Sequence, residues 1–142
     1  MKVQFAPAGI GLGHAGRCVP IAKKLLEKDA ETQLMFSTYK DGVCYARQEG
    51  FSVCEVPPVA FKVLPDGTVD FKRTVANPDL FFASFKLLRQ VRAEIRVMQH
   101  FKPDVVVSDT RVSPLAAARL LRIPRICILN QFQIIIPRRT HF

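Results

Sequence analysis

The 142-residue chain is 49% hydrophobic and 23% charged, with a formal net charge of +9. That is the size of one domain, long enough to bury about two-thirds of its unfolded surface without staples, and no apolar run approaches the ~20 residues of a membrane helix. The basic excess favours an acidic partner such as a phosphate-bearing ligand or an anionic membrane face, but no RNP motif, zinc finger or helix-turn-helix signal points to nucleic acid.

Met1-Lys2 leads straight into a strand pattern with no signal-peptide core, so a cytoplasmic chain is expected. The four cysteines, Cys18, Cys44, Cys54 and Cys127, form no CxxC pair and have no zinc spacing. They read as reduced, buried thiols. No metal ligand set and no cofactor is expected.

Lys2 to Ala6 reads as the first strand. Gly9-Ile10-Gly11-Leu12-Gly13-His14-Ala15-Gly16-Arg17 follows it, and Ile21 to Leu26 then has helical spacing. Glycines let backbone turn tightly and approach a ligand, and a helix start turns unpaired N–H groups toward it. Gly9, Gly11, Gly13, Gly16 and Arg17 are therefore candidates to face a substrate or phosphate. Pro20 is poorly tolerated inside a helix. The regular helix is expected to begin near Arg17 or to kink, leaving His14 in irregular chain, and to end near Lys28.

Thr32 to Ser37 reads as the second strand. Asp41-Gly42 opens a turn and a short helix to about Glu49, closed by Gly50 in a left-handed conformation. Phe51 to Val56 is the third strand. Phe61 to Lys72, with Pro65-Asp66-Gly67 at its centre, reads as a β-hairpin excursion. Asn77-Pro78 signals a helix start. Phe81, Phe85, Leu88, Val91, Ile95 and Met98 then mark one apolar face of a helix to about Phe101. Lys86, Arg89, Arg92, Arg96 and His100 lie off that face, as a solvated stripe or an attraction to an anionic membrane.

Asp104-Val105-Val106-Val107 shows no alternation, as in a parallel strand buried on both faces. Ser108-Asp109-Thr110-Arg111 follows, and Ser113 or Thr110 can cap the next helix, Pro114 to Arg122. Arg125 to Leu129 is the fifth strand, with Asn130-Gln131 at its end. The alternation of strand and helix predicts a three-layer, Rossmann-like α/β domain with a parallel sheet of at least five strands. Ligands of such sheets bind beyond the C-terminal strand ends. His14, Thr38, Asp109, Thr110, Arg111, Asn130 and Gln131 all fall there.

If His14 and Asp109 meet, the carboxylate fixes the imidazole tautomer and supports the cation formed when the other nitrogen takes a proton. That is a general base for a hydroxyl. The competing reading makes His14 a solvated turn residue and Asp109 a helix cap.

On these residues the chain resembles the N-terminal, acceptor-binding domain of GT-B glycosyltransferases. The likeness is nearest to the group of UDP-glucuronosyl/glucosyl transferases and lipid-linked N-acetylglucosaminyl transferases. It is carried by Gly11-Leu12-Gly13-His14, Gly50-Phe51, Pro103 to Asp109 with Ala116-Ala117-Ala118, and Ile123-Pro124. It implies that His14 deprotonates an acceptor hydroxyl and Asp109 orients it. Thr38, Thr110, Arg111, Asn130 and Gln131 would face the acceptor, which would be lipid-linked or phosphorylated in some branches. Many such proteins have proline three residues after the histidine; here that position is Arg17. The nucleotide-sugar donor would sit on a C-terminal domain that the chain does not supply. A fragment or separately encoded half, inactive alone, is expected. Two other readings stay open. One is an NAD(P)-binding domain of an oxidoreductase, which asks for an acidic residue at the end of the second strand, where Ser37-Thr38-Tyr39 stand. The other is a non-catalytic module at a membrane surface.

Overall fold

The computed structural model describes residues 1–58 and 80–130. The expected hairpin, the Asn77-Pro78 helix start, Gln131 and the last ten residues lie outside them. The described elements are β1 (Lys2–Pro7), α1 (Gly13–Lys28), β2 (Gln33–Thr38), α2 (Asp41–Gln48), β3 (Ser52–Glu55), α3 (Leu80–Phe101), β4 (Val105–Asp109), α4 (Val112–Leu120) and β5 (Arg125–Ile128).

The strands form one parallel sheet in the order β3-β2-β1-β4-β5. The chain moves outward in one direction from β1 to β3, then returns to the other side of β1 with β4. The strand order therefore reverses between β1 and β4, the place where such sheets open a crevice at their C-terminal ends. Pro7 is level with Asp109 in that pairing, and Ala8 N–H extends it to the Asp109 carbonyl at 3.1 Å.

Side-chain alternation in β1 sorts the two faces. Val3 and Phe5 join Cys18, Val19 and Ala22 of α1, Phe36 of β2, Ala46 of α2 and Val107 of β4 in one apolar core. Phe36 stacks on Phe5 with centroids 5.3 Å apart and meets Phe51 at 4.9 Å. Burying such an aromatic ring is worth about 1.5–3 kcal/mol. Met98 of α3 packs with Val106, Ala117 and Ala118 against the other face. The small side chains of α4 allow its backbone to lie close to the sheet. Helices thus cover both faces, the three-layer arrangement expected of alternating strands and helices.

Several local expectations are corrected. α1 is already helical at Gly13, and Gly16 N–H donates to the Leu12 carbonyl at 2.7 Å, so His14 lies in a regular first turn. Pro20 sits inside this helix and is exposed, and the residue four positions before it is Gly16. A proline ring crowds the carbonyl at that distance, and with no N–H Pro20 cannot donate to it.

α4 is capped by Arg111, with no side-chain cap bond. Ser113 is buried and donates to Gln90 instead. In α3, Met98 is buried, but Phe85 and Leu88 are exposed. The inward face carries Gln90 and Glu94, which apolar spacing did not mark. Among the cysteines only Cys18 is buried; Cys44 and Cys127 are exposed and Cys54 is intermediate. Gly50 takes the expected left-handed conformation, φ +86°.

Candidate active site

The segment between β1 and α1 is shaped by close contacts. A Cβ on Gly9 would lie 1.8 Å from the Tyr39 carbonyl oxygen, so only glycine lets the two backbones touch. Gly11 is left-handed, φ +65°, and its N–H donates to Asp41 Oδ2 at 3.0 Å. These two glycines build the loop. Gly13 and Gly16 are different: among the described residues a Cβ at either would meet nothing within 4 Å. They open the first turn of α1 toward the crevice. Leu12, the N-cap of that turn, makes no side-chain cap bond, and the positive end of such a turn suits an anion.

His14 projects from this turn toward the last residue of β4. Its Nδ1 lies 2.9 Å from Asp109 Oδ1. A carboxylate oxygen can only accept, so the tautomer with Nδ1–H on Asp109 leaves the lone pair on Nε2; Arg17 Nη2, 3.1 Å from Nδ1, can donate to it only in the other tautomer. The His14 side chain is 23% exposed and that of Asp109 is fully buried.

Arg17, one turn on, grips the same carboxylate. Its Nε donates to Oδ2 at 2.9 Å and Nη2 to Oδ1 at 2.7 Å. Nη1 reaches Asn130 Oδ1 in the segment after β5 at 2.5 Å. Thr110 Oγ1 donates to Asp109 Oδ1 at 2.5 Å and lies 3.0 Å from His14 Nδ1. Thr110 is left-handed, φ 63°, which is costly for a β-branched residue. Its N–H is held by the Ile128 carbonyl at 3.0 Å.

Five residues proposed from sequence thus converge: His14, Arg17, Asp109, Thr110 and Asn130. Two do not reach the crevice. Thr38 is buried, its hydroxyl donating to the Pro7 carbonyl at 3.0 Å. Arg111 is buried as well. Its Nη2 donates to Glu94 Oε1 at 2.6 Å and its Nη1 to the Ser37 carbonyl at 2.8 Å. Gly9, likewise, packs against Tyr39 and faces no ligand space.

Sequence reasoning missed a buried polar layer on the α3 side of the sheet. Gln4 Nε2 donates to Glu94 Oε2 and to Ser37 Oγ, each at 2.9 Å. Gln90 Nε2 donates to the Pro57 carbonyl at 2.8 Å. The one available signal was Gln4 between Val3 and Phe5, a polar residue at a buried strand position. Burial pushes the Glu94 carboxyl upward, against the opposing pull of Arg111 and its hydrogen-bond donors.

Elsewhere, a cavity of about 800 Å³ lies between β3 and α3, and Met35, Val56, Arg89, Arg92 and Arg96 line it. It includes none of the His14–Asp109 group. Among the described residues no group of three His, Cys, Asp or Glu could hold a metal ion, and no helix is long and apolar enough to cross a membrane.

The family model described as glycosyl transferase family 1 covers residues 1–141. The chain belongs to that family.

An uncharacterised glycosyltransferase of Methanosarcina acetivorans is 30% identical over 131 residues, which are 92% of this chain and 33% of that protein. A PGL/p-HBAD biosynthesis rhamnosyltransferase of Mycobacterium tuberculosis is 42% identical over 77 residues, 53% of this chain and 17% of that protein. Among solved structures, MurG of Acinetobacter baumannii superposes with a TM-score of 0.66 at 19% identity, over 90% of this chain and 35% of that one. At such identity the likeness speaks for the fold alone: the Rossmann-like α/β architecture of GT-B glycosyltransferases. The chain spans about a third of the length of the Methanosarcina relative.

Proposed function

We propose that this chain is the acceptor-binding half of an inverting glycosyltransferase. It would move a sugar from a nucleotide-sugar donor to a hydroxyl acceptor once a donor-binding domain completes the crevice. The observation that carries the reading is the 2.9 Å contact between His14 Nδ1 and Asp109 Oδ1 at the adjacent ends of β1 and β4.

With Nδ1–H on the carboxylate, Nε2 takes the proton of the acceptor hydroxyl as its oxygen attacks the anomeric carbon. The bond from that carbon to the nucleoside diphosphate breaks on the opposite face. The electron pair leaves with the phosphate oxygen, and the configuration inverts. Asp109 stabilises the imidazolium while it lasts. The first turn of α1, open over Gly13 and Gly16, suits the negative charge that gathers on the leaving diphosphate. Asp41, the acidic group nearest the end of β2, is taken up by Gly11 N–H, which weakens the case for a dinucleotide ribose there.

The test supplies a donor domain to the chain and compares wild type with His14→Ala and Asp109→Ala. Loss of a general base lowers turnover by about 10²–10⁴-fold. Unchanged turnover in both variants would remove the proposed base. Determining the anomer of the product checks inversion.

A second observation bears on where the reaction occurs. Lys86, Arg89, Arg92 and Arg96 are exposed along α3, with Phe85 and Leu88 exposed among them. Basic and apolar groups side by side suit the anionic face of a membrane, as a cytoplasmic enzyme with a lipid-linked acceptor would need. Pelleting with anionic vesicles tests this. Salt-sensitive binding supports a peripheral location, and no binding removes it.

A further inference from the structure

We propose that Arg17 is the positioning residue that keeps His14 in its proton-accepting form, by carrying the counter-charge of Asp109 so that the imidazole does not have to. The proposal rests on the reading of His14 as a base.

Asp109 is fully buried, and its two oxygens are gripped by the Arg17 fork. A planar guanidinium on both oxygens of a carboxylate is a strong, oriented and permanently charged pair. Consider the same site without it. A buried carboxylate 2.9 Å from an imidazole would be left without a cation, and it would recruit one by drawing a proton onto the ring. A histidine that already holds both protons cannot take a third from a hydroxyl. The pair would rest as carboxylate and imidazolium, with the base occupied.

Arg17 changes that balance twice. It neutralises Asp109 through both oxygens, sharing Oδ1 with the ring, and its Nη2 stands 3.1 Å from His14 Nδ1, where a second positive charge is repelled. Asp109 Oδ1 still accepts from Nδ1–H, so the carboxylate continues to orient the ring while no longer demanding its charge. The third arm of Arg17, on Asn130 Oδ1, keeps the fork in register.

Beyond the positive end of the α1 first turn, the other side chains facing the pair among the described residues add no charge. From α1, the Cys18 thiol is pushed up to about 12, by burial first and Asp109 second. From β5, the Cys127 thiol is also raised, by burial and then by Asp109. Both remain neutral thiols near neutral pH. Thr110 contributes an uncharged hydroxyl.

The experiment follows the His14 ring nitrogens by long-range ¹H–¹⁵N NMR across pH, in the labelled chain and in Arg17→Met and Arg17→Lys. The spectrum of His14→Ala assigns the signal among the three histidines. In Arg17→Met the protonation midpoint of His14 should move up relative to wild type by about one pH unit or more, the effect of removing a nearby like charge that also balanced the carboxylate. Arg17→Lys should restore most of the wild-type midpoint.

A midpoint in Arg17→Met that stays or falls overturns the proposal. Should Arg17→Met not fold, Arg17→Met combined with Asp109→Asn removes both charges. Its midpoint should then lie near the wild-type one; a clear upward shift there would overturn the counter-charge account.

With a donor domain supplied, the acidic limb of the pH–rate profile of Arg17→Met should move to higher pH and activity should recover at alkaline pH. A salt bridge that only held the fold would lower turnover at every pH. Full turnover in His14→Ala would dismiss the base itself, and the NMR result on Arg17 would stand apart from it.

Discussion

Arg111, from the turn after β4, meets Glu94 in the middle of α3 with Nη2 2.6 Å from Oε1, and both side chains are almost wholly buried. The pair lies on the α3 side of the sheet and is tied to the end of β4, because Arg111 is two residues beyond Asp109 and its carbonyl accepts from Ser108 Oγ at 2.7 Å. Burial raises the Glu94 carboxyl above its ordinary 4.5. A carboxyl raised in the folded state favours folding most below its unfolded value, and that contribution is lost as pH rises through the folded value.

Arg111→Met should therefore destabilise the chain strongly at neutral pH, by about 3–5 kcal/mol, since it strands a buried carboxylate. The loss should shrink below neutral pH, as Glu94 takes up a proton. Glu94→Gln should flatten the pH dependence of stability over the same range. Denaturant titrations at pH 5 and pH 7 read both effects, and an Arg111→Met penalty equal at the two pH values would contradict the account.

The glycines of the loop should separate by role. Gly9→Ala drives a methyl into the Tyr39 carbonyl and should cost about 1–3 kcal/mol through overpacking. Gly13→Ala and Gly16→Ala meet open space and lie in a helix. They should raise stability by up to about 1 kcal/mol. If the open space belongs to a ligand, the same two variants should lose turnover in the completed enzyme. Thermal melts and rates on the three variants check the split, and destabilised Gly13→Ala and Gly16→Ala would refute it.

The thiols should alkylate in a set order. Cys44 is exposed, whereas Cys18 is buried and its thiol is raised to about 12. The thiolate is the reactive form. At pH 8 iodoacetamide should modify Cys44 well before Cys18, which should react only on unfolding. Peptide mapping over time reads the order, and early modification of Cys18 in folded protein would contradict the burial.

Phe36, fully buried between Phe5 and Phe51, anchors the core on the α1 side of the sheet. Phe36→Ala should cost about 3–5 kcal/mol. Urea unfolding followed by circular dichroism measures it, and a loss below about 1 kcal/mol would mean that the core collapses around the gap.

Read without coordinates, the chain already determined its strand–helix alternation, its parallel sheet and the strand ends where a ligand would sit. Those features follow from local periodicity and from glycine, proline and turn chemistry, which act over a few residues. The unbroken β4 run Val105-Val106-Val107 and the turn at Gly50 were legible for that reason. So was the candidate status of His14 and Asp109, because strand ends can be counted.

Tertiary structure alone decided which of those ends meet. His14 and Asp109 are 95 residues apart, and only the reversal of strand order between β1 and β4 makes them neighbours. It also decided that Arg17 belongs to Asp109, that Arg111 turns inward to Glu94, and that Gln4, Gln90 and Glu94 are interior. A polar side chain is buried only when partners from other elements satisfy it. Those partners sit in distant parts of the chain, so spacing within any one segment carries no sign of them.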